Sequence, residues 1–233
     1  MSKYFQLLGI LWLLASCASD DPRAIMVVEG NIAGLKKGTL YLQHIPDSAL
    51  INLDSVEING DGKFSLQTRL SEPDVYYLYL KSADNNELDD RIPFFGEPGP
   101  VRINSRWNAF ESEARIEAGE MQKKFEQFRE NLSRFNLQEL ELAREMVALQ
   151  LPRDSTLLDS LQRASERILK RRYLYAINFA LNNRDSYMAP YIAWAEVPDA
   201  NPKLLDSIYR ALPPEIASSK YGKKLQGLLE KAP

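Results

Sequence analysis

The chain of 233 residues holds one thiol, Cys17, and one imidazole, His44. A Ser-His-Asp relay would have to use His44 as its base. His44 precedes Ile45-Pro46 at the end of a predicted strand, and no nucleophile motif lies beside it, so it reads as an ordinary strand-end residue. A single cysteine can form neither an intrachain disulfide nor a Cys-x-x-Cys redox pair. Carboxylates are plentiful: Asp20, Asp21, Asp54, Asp84, Glu87, Asp89 and Asp90. Asp84-Asn85-Asn86-Glu87 offers oxygen donors of the kind calcium takes, but lacks the glycine that turns a calcium loop, and reads as a solvated hairpin tip. Glycoside hydrolysis needs two carboxylates at a set separation, which spacing along the chain does not define. We therefore assign no catalytic, cofactor-binding or metal-binding residue, and expect no cofactor and no enzymatic activity. One aromatic group remains: Tyr76, Tyr77, Tyr79, Phe94 and Phe95. Strand alternation puts Tyr77 and Tyr79 on one face and Tyr76 on the other. Such faces either contact a sugar or protein partner or fill a sheet core, and core is the commoner use.

Composition narrows the class. Hydrophobic residues make up 45% and charged residues 26% of the chain, which is ordinary for a globular protein and too apolar for a disordered one. The net charge of −3 gives no electrostatic footing for nucleic acid. Lys170-Arg171-Arg172 is a local basic run that suits lipid head groups, an acidic partner or a solvated helix face paired with neighbouring acids.

The first residues read as an address. Lys3 supplies a positive start, Leu7 to Leu14 a compact apolar run, and Ala15-Ser16 the small residues of a cleavage site. The run is shorter than the roughly 20 apolar residues a membrane span needs. Leu14-Ala15-Ser16-Cys17 resembles the lipobox of bacterial lipoproteins. That resemblance implies a signal peptide over 1–16, cleavage before Cys17, and lipid on the Cys17 thiol and the new amino terminus. Several acyl chains anchor stably where one does not. Residues 17–23 then form a short acidic tether around Asp20-Asp21, which fits both a surface-export signal and a plain solvated linker.

Beyond the tether the texture has two halves. Over 24–118, short apolar runs alternate with turns: 25–32, 38–42, 50–58, 64–70, 75–80, 92–95, 101–103 and 114–116. Asn59-Gly60-Asp61-Gly62 is a hairpin signal, and Gly96-Glu97-Pro98-Gly99 a second turn. Close-spaced strands of this kind predict an antiparallel β-sandwich or barrel. Over 119–233 the period changes. Met121, Phe125, Phe128, Leu132 and Phe135 share one face of a helix that should run to Leu151, before Pro152. Asp154-Ser155-Thr156 can cap a second long helix. It carries Leu157, Leu161, Ala164, Ile168, Tyr175 and Phe179 on one face and ends at Asn182-Asn183. The pair should form an antiparallel hairpin, followed by shorter helices at 187–196, 202–212 and 221–231. The expected class is α+β, a sandwich or barrel followed by a helical region.

Several of these turns and strands resemble a known pattern. Val28-Glu29-Gly30-Asn31-Ile32, Lys37-Gly38-Thr39-Leu40-Tyr41-Leu42, Asp54-Ser55-Val56, Asn59 to Phe64, Pro73 to Leu78 and Phe94 to Gly99 are similar to the domain of unknown function (DUF4369 type) that precedes thioredoxin-like domains in Bacteroidota lipoproteins. Asp185 to Ile192 and Ser219 to Leu225 resemble the helical segment of the same proteins. The resemblance implies a lipid-anchored envelope protein, most simply at the outer membrane. It does not carry over thiol chemistry, because no residue here matches the redox motif and the chain ends at Pro233. The expectation is a non-catalytic binding module with an envelope protein as partner. The alternative is an accessory subunit of a thiol–disulfide system whose partner is a thioredoxin-like lipoprotein.

Overall fold

The computed structural model describes residues 24–82, 91–148 and 155–231. Cys17, the acidic tether, the carboxylates of 84–90 and Pro152 lie outside the described residues. The strands are β1 (Ile25–Ala33), β2 (Lys37–His44), β3 (Ile51–Asn59), β4 (Lys63–Arg69), β5 (Asp74–Ser82), β6 (Arg91–Gly96), β7 (Gly99–Arg106) and β8 (Arg115–Glu117). The helices are α1 (Glu120–Ala148), α2 (Ser155–Asn182), α3 (Met188–Ala195), α4 (Pro202–Ala211), α5 (Pro214–Ala217) and α6 (Lys220–Leu229). The α+β class and the order of strands before helices follow the sequence reading. The four-residue α5, which starts on Pro214, was not expected.

The strands form two four-stranded sheets, ordered β4-β1-β7-β8 and β3-β2-β5-β6. They face each other over one apolar layer: Met26, Val28 and Ile32 of β1, Leu40 and Leu42 of β2, Leu78 of β5, Phe94 of β6 and Ile103 of β7. Period-2 alternation produces this layer, since every second side chain must leave water. The architecture is a sandwich, not a closed barrel.

Two pairings differ from the sequence reading. The turn at 60–62 does not close a hairpin, because β3 pairs with β2 while β4 pairs with β1 in the other sheet. Gly62 diverts the chain. It holds φ +75°, its carbonyl accepts from Ile32 N at 2.9 Å, and the next residue begins pairing with β1. β3 and β4 stay linked across the corner by Asp54, whose carboxylate accepts from Ser55 N and from Gln67 N, each at 2.8 Å. The second difference is that β1 and β7 run parallel, so the sandwich is not antiparallel throughout. The turn at 97–98 crosses between sheets, so β7 arrives beside β1 pointing the same way.

The opposite edge is blunted by different means. Phe95 N, turned away from β5, donates to Gln122 Oε1 at 2.7 Å. Two residues earlier the same side of β6 carries Pro93, which has no N–H to offer an added strand.

The outer face of the β3-β2-β5-β6 sheet carries the helices. Val75 of β5 and Phe95 of β6 leave the sandwich core and join Phe125, Phe128, Ala176, Ile192, Ile208 and Leu225 in a second core. The α1–α2 hairpin is confirmed by Phe128 stacking on Tyr175 at 5.6 Å and meeting Phe179 at 5.1 Å. Buried residues on α1 stop at Leu132. From there the two helices continue as a projecting arm.

A Cβ at residue 62 would lie 2.2 Å from Ile32 O, on a backbone that L-residues resist. Gly62→Ala is expected to lower unfolding free energy by about 2 kcal/mol or more. In urea denaturation the midpoint should fall with the slope unchanged.

Candidate functional site

Among the described residues, a group of titratable side chains converges where the sandwich meets α6. Asp74, the first residue of β5, is 2% exposed. Its Oδ2 accepts from His44 Nε2 and from Lys220 Nζ, each at 2.6 Å, and its Oδ1 accepts from Val75 N at 2.6 Å. Lys220 Nζ also donates to Ile45 O at 2.6 Å and contacts the Tyr221 hydroxyl at 3.2 Å. The backbone N–H of Lys220 donates to Glu72 Oε1 at 2.8 Å. His44 stacks on Tyr76 with ring centroids 4.5 Å apart. One carboxylate therefore joins the end of β2, the start of β5 and the first turn of α6.

Burial pushes the Asp74 carboxyl up, but the hydrogen bonds from His44 and Lys220, the Lys220 charge and the Val75 N–H outweigh it, so its pKa lies below the usual 3.8. Burial, helped by the Asp74 charge, pushes the Tyr76 and Tyr221 hydroxyls up, so they stay protonated at neutral pH. These residue types could move protons, but their geometry is that of a clamp. Both Asp74 oxygens are engaged, and the Lys220 ammonium has three oxygen neighbours. Sequence reasoning set His44 aside as a strand-end residue and did not single out Asp74 or Lys220. Their separations of 30 and 146 positions leave no local signal.

The cluster's stability effect has a definite sign. A depressed folded pKa means Asp74 stabilises fully above its unfolded value, and the stabilisation fades as pH falls through the folded value. Asp74→Ala strands the Lys220 ammonium, which is only 12% exposed, and is expected to cost about 3–5 kcal/mol at pH 7. Asp74→Asn should also flatten the stability–pH slope below about pH 4. Chemical denaturation at stepped pH reads both effects.

The open edge of the sandwich forms a second feature, a cleft of about 670 Å³ between β6, β8 and α1. Ile92, Phe110 and Ile116 line it with apolar surface, and Glu126, Arg129 and Glu111 supply charge. Arg129 Nη2 donates to Glu111 Oε1 at 3.3 Å. Such a mixed wall can hold a polar ligand or chain segment by hydrogen bonds, but it presents no nucleophile–base pair. Nearby on α3's end, burial raises the Glu196 pKa against the opposing pull of Arg172 and Arg129. Among the described residues no three metal-ligating side chains converge, and no described helix is long and apolar enough to cross a membrane.

The five aromatic residues do not form one contact surface. Tyr76 and Phe94 lie buried in the sandwich core, 6.1 Å apart by ring centroid, and Phe95 is fully buried in the helical core against Phe125 and Tyr191. Tyr77 packs against the helical core from β5. Tyr79 stacks on Tyr41 beneath the Arg91 guanidinium and, like Tyr77, is only half-buried. Alternation predicted the two faces correctly. What it did not show is that both faces are covered, because a second layer packs on the outside of this sheet.

The surface feature that sequence reading missed is the arm. Leu137, Leu140 and Val147 of α1 and Leu157, Leu158 and Leu169 of α2 are all exposed, Val147 at 76%. On α1, Leu137, Leu140 and Val147 fall on the side away from the Phe128–Phe135 seam with α2. Of the basic run, Lys170 and Arg171 are exposed on this arm, and Arg171 covers Phe135 at 5.7 Å.

Fold and site together define a two-sheet sandwich with a helical layer clamped to one face. Within that class, residues 26–125 match the family described as Domain of unknown function (DUF4369). The matched segment extends past β8 into α1, to Phe125. It thus includes Gln122, which satisfies Phe95 N on β6. No curated protein matches the chain.

Proposed function

We propose that the chain is an exported protein of the cell envelope, held by lipid on Cys17 and acting as a non-catalytic interaction module at the outer membrane. The signal-like first residues and the lipobox resemblance support the anchoring. The observation that carries the interaction reading is the arm. Large aliphatic side chains stand in water along a helical hairpin whose own seam is already filled by Phe128, Phe135, Tyr175 and Phe179. Large apolar side chains gathered in this way on a projecting element suit a contact site. The residue types suited to proton transfer support the same reading, since Asp74, His44 and Lys220 are engaged with one another in a buried clamp.

The accessory-subunit reading is second. It draws on the resemblance to proteins that carry a thioredoxin-like domain, and it places a thioredoxin-like lipoprotein on the same arm.

The test is affinity capture from envelope extract with the lipidated chain, beside a Leu137→Glu/Leu140→Glu/Val147→Glu variant. Recovery of a defined partner should fall by about tenfold or more in the variant, a loss of about 1.4 kcal/mol, with the melting temperature unchanged. Equal recovery by both proteins would remove the arm from the interaction. A recovered partner carrying Cys-x-x-Cys would favour the accessory reading. Cys17→Ala should leave the protein unprocessed or soluble.

A further inference from the structure

The molecule has two distinguishable ends. At one end lie the first described residue and the crossings from β4 to β5 and from β6 to β7. Ala24 O accepts from Leu70 N at 2.8 Å, Ile25 pairs with Arg69, and Met26 pairs with Gly99. The turn at 97–98 sits at this end, and α1 begins there, with Met121 N donating to Glu97 Oε1 at 3.3 Å. α1 then runs toward the far end of β7, where Arg129 meets Glu111 in the segment that follows that strand. It continues to Ala148, roughly 28 Å beyond Arg129 at helical rise. The arm therefore points away from the end at which the tether joins.

The same tether end carries an apolar lip. Ile51, the first residue of β3, pairs with His44, and His44 with Tyr76 near the start of β5, where Asp74 pairs with Gly96, so Ile51 lies at the end of the sandwich that holds Gly99 and Met26. Leu50 and Ile51 are each 41% exposed. A single exposed leucine would mean little. Here the loop that presents the pair is held from behind: Lys220 Nζ donates to Ile45 O at 2.6 Å and Lys224 Nζ to Asp47 O at 2.8 Å. The lip is thus fixed in place by the same α6 that clamps Asp74. Lys223 is exposed on that helix, and Asp47 and Glu72 stand nearby, so the face is of mixed charge and its attraction to a bilayer is chiefly apolar.

Cys17 lies only seven positions before Ala24, a reach of at most about 25 Å when fully extended. A chain lipidated at Cys17 cannot hold this end far from the bilayer. We propose that the Leu50–Ile51 lip rests in the membrane interface, fixing the orientation of the molecule so that the α1–α2 arm is directed away from the lipid. The inference rests on the lipid anchor at Cys17 and adds to it a second, non-covalent contact and a direction. The occupant of the lip is the bilayer that receives the acyl chains.

Cys17 is the only cysteine, so once its thiol is lipidated, a new cysteine is the only free thiol. Leu50→Cys, Ile51→Cys and, on the arm, Leu137→Cys all fall at exposed positions. Each full-length lipidated protein is labelled with an environment-sensitive fluorophore and reconstituted into vesicles of phosphatidylethanolamine and phosphatidylglycerol. Lipids carrying a quencher on the acyl chain should dim the labels at 50 and 51 by about twofold, as expected for side chains at the head-group–acyl boundary, and leave the label at 137 bright. Labels at 50 and 51 as bright as that at 137 would overturn the lip while leaving the anchor standing. A dimmed label at 137 would reverse the orientation. Mass spectrometry of the same samples reads the acyl chains on Cys17 independently, and a bare Cys17 would overturn anchor and lip together.

Discussion

The carboxylate of Asp74 is the point on which the two layers of this protein depend. It is buried where β2, β5 and α6 converge, and an isolated charge there would be strongly unfavourable. Three donors offset that cost, one from each of the elements that meet: His44 from β2, Lys220 from α6 and the adjacent Val75 N–H of β5 itself. Apolar packing between the outer sheet face and the helices is non-directional and would tolerate sliding. The Asp74 group is directional, and with the Glu72 bond to the Lys220 backbone it sets where α6 begins. In a buried ion pair of this kind, removing one partner strands the other, so the two must be placed together.

From that fixed interface the rest of the helical layer follows. Val75 and Phe95 face outward from the same sheet whose other side supplies Leu78 and Phe94 to the sandwich core. Where the helices cover it, this sheet is apolar on both faces, unlike a sandwich sheet with one side in water. Gln122 joins α1 to the free edge of β6, and its bond to Phe95 N replaces the strand partner that Pro93 helps to exclude. The same helix then leaves the body. Its first turns are buried and its last four are solvated, so a single continuous element serves both as core and as projecting surface.

The consequence for function is a division of the surface. Asp74, His44 and Lys220 are engaged with one another, while large apolar groups are exposed along the arm, at Leu50 and Ile51, and singly at Trp107 and Leu204. The cleft lies between the edge strands β6 and β8 of the two sheets, beside α1.

Much of this was legible in the residues themselves. Period-2 runs located the strands, the change of period after Gly119 located the helices, and Phe125, Phe128 and Leu132 marked the buried stripe of α1. These are local signals, carried by neighbours two to four positions apart, and such spacing determines which face of an element leaves water. The matched family segment agrees with the strands and turns on which the resemblance rested. Tertiary structure alone decided the remainder. It placed β3 and β4 in different sheets, ran β7 parallel to β1, and brought Lys220 to Asp74 across 146 positions. It also buried Tyr76, Phe94 and Phe95 on two opposite faces of one sheet. Each of these depends on which distant segment covers a surface, and that is settled by the packing of whole layers, which no local periodicity records.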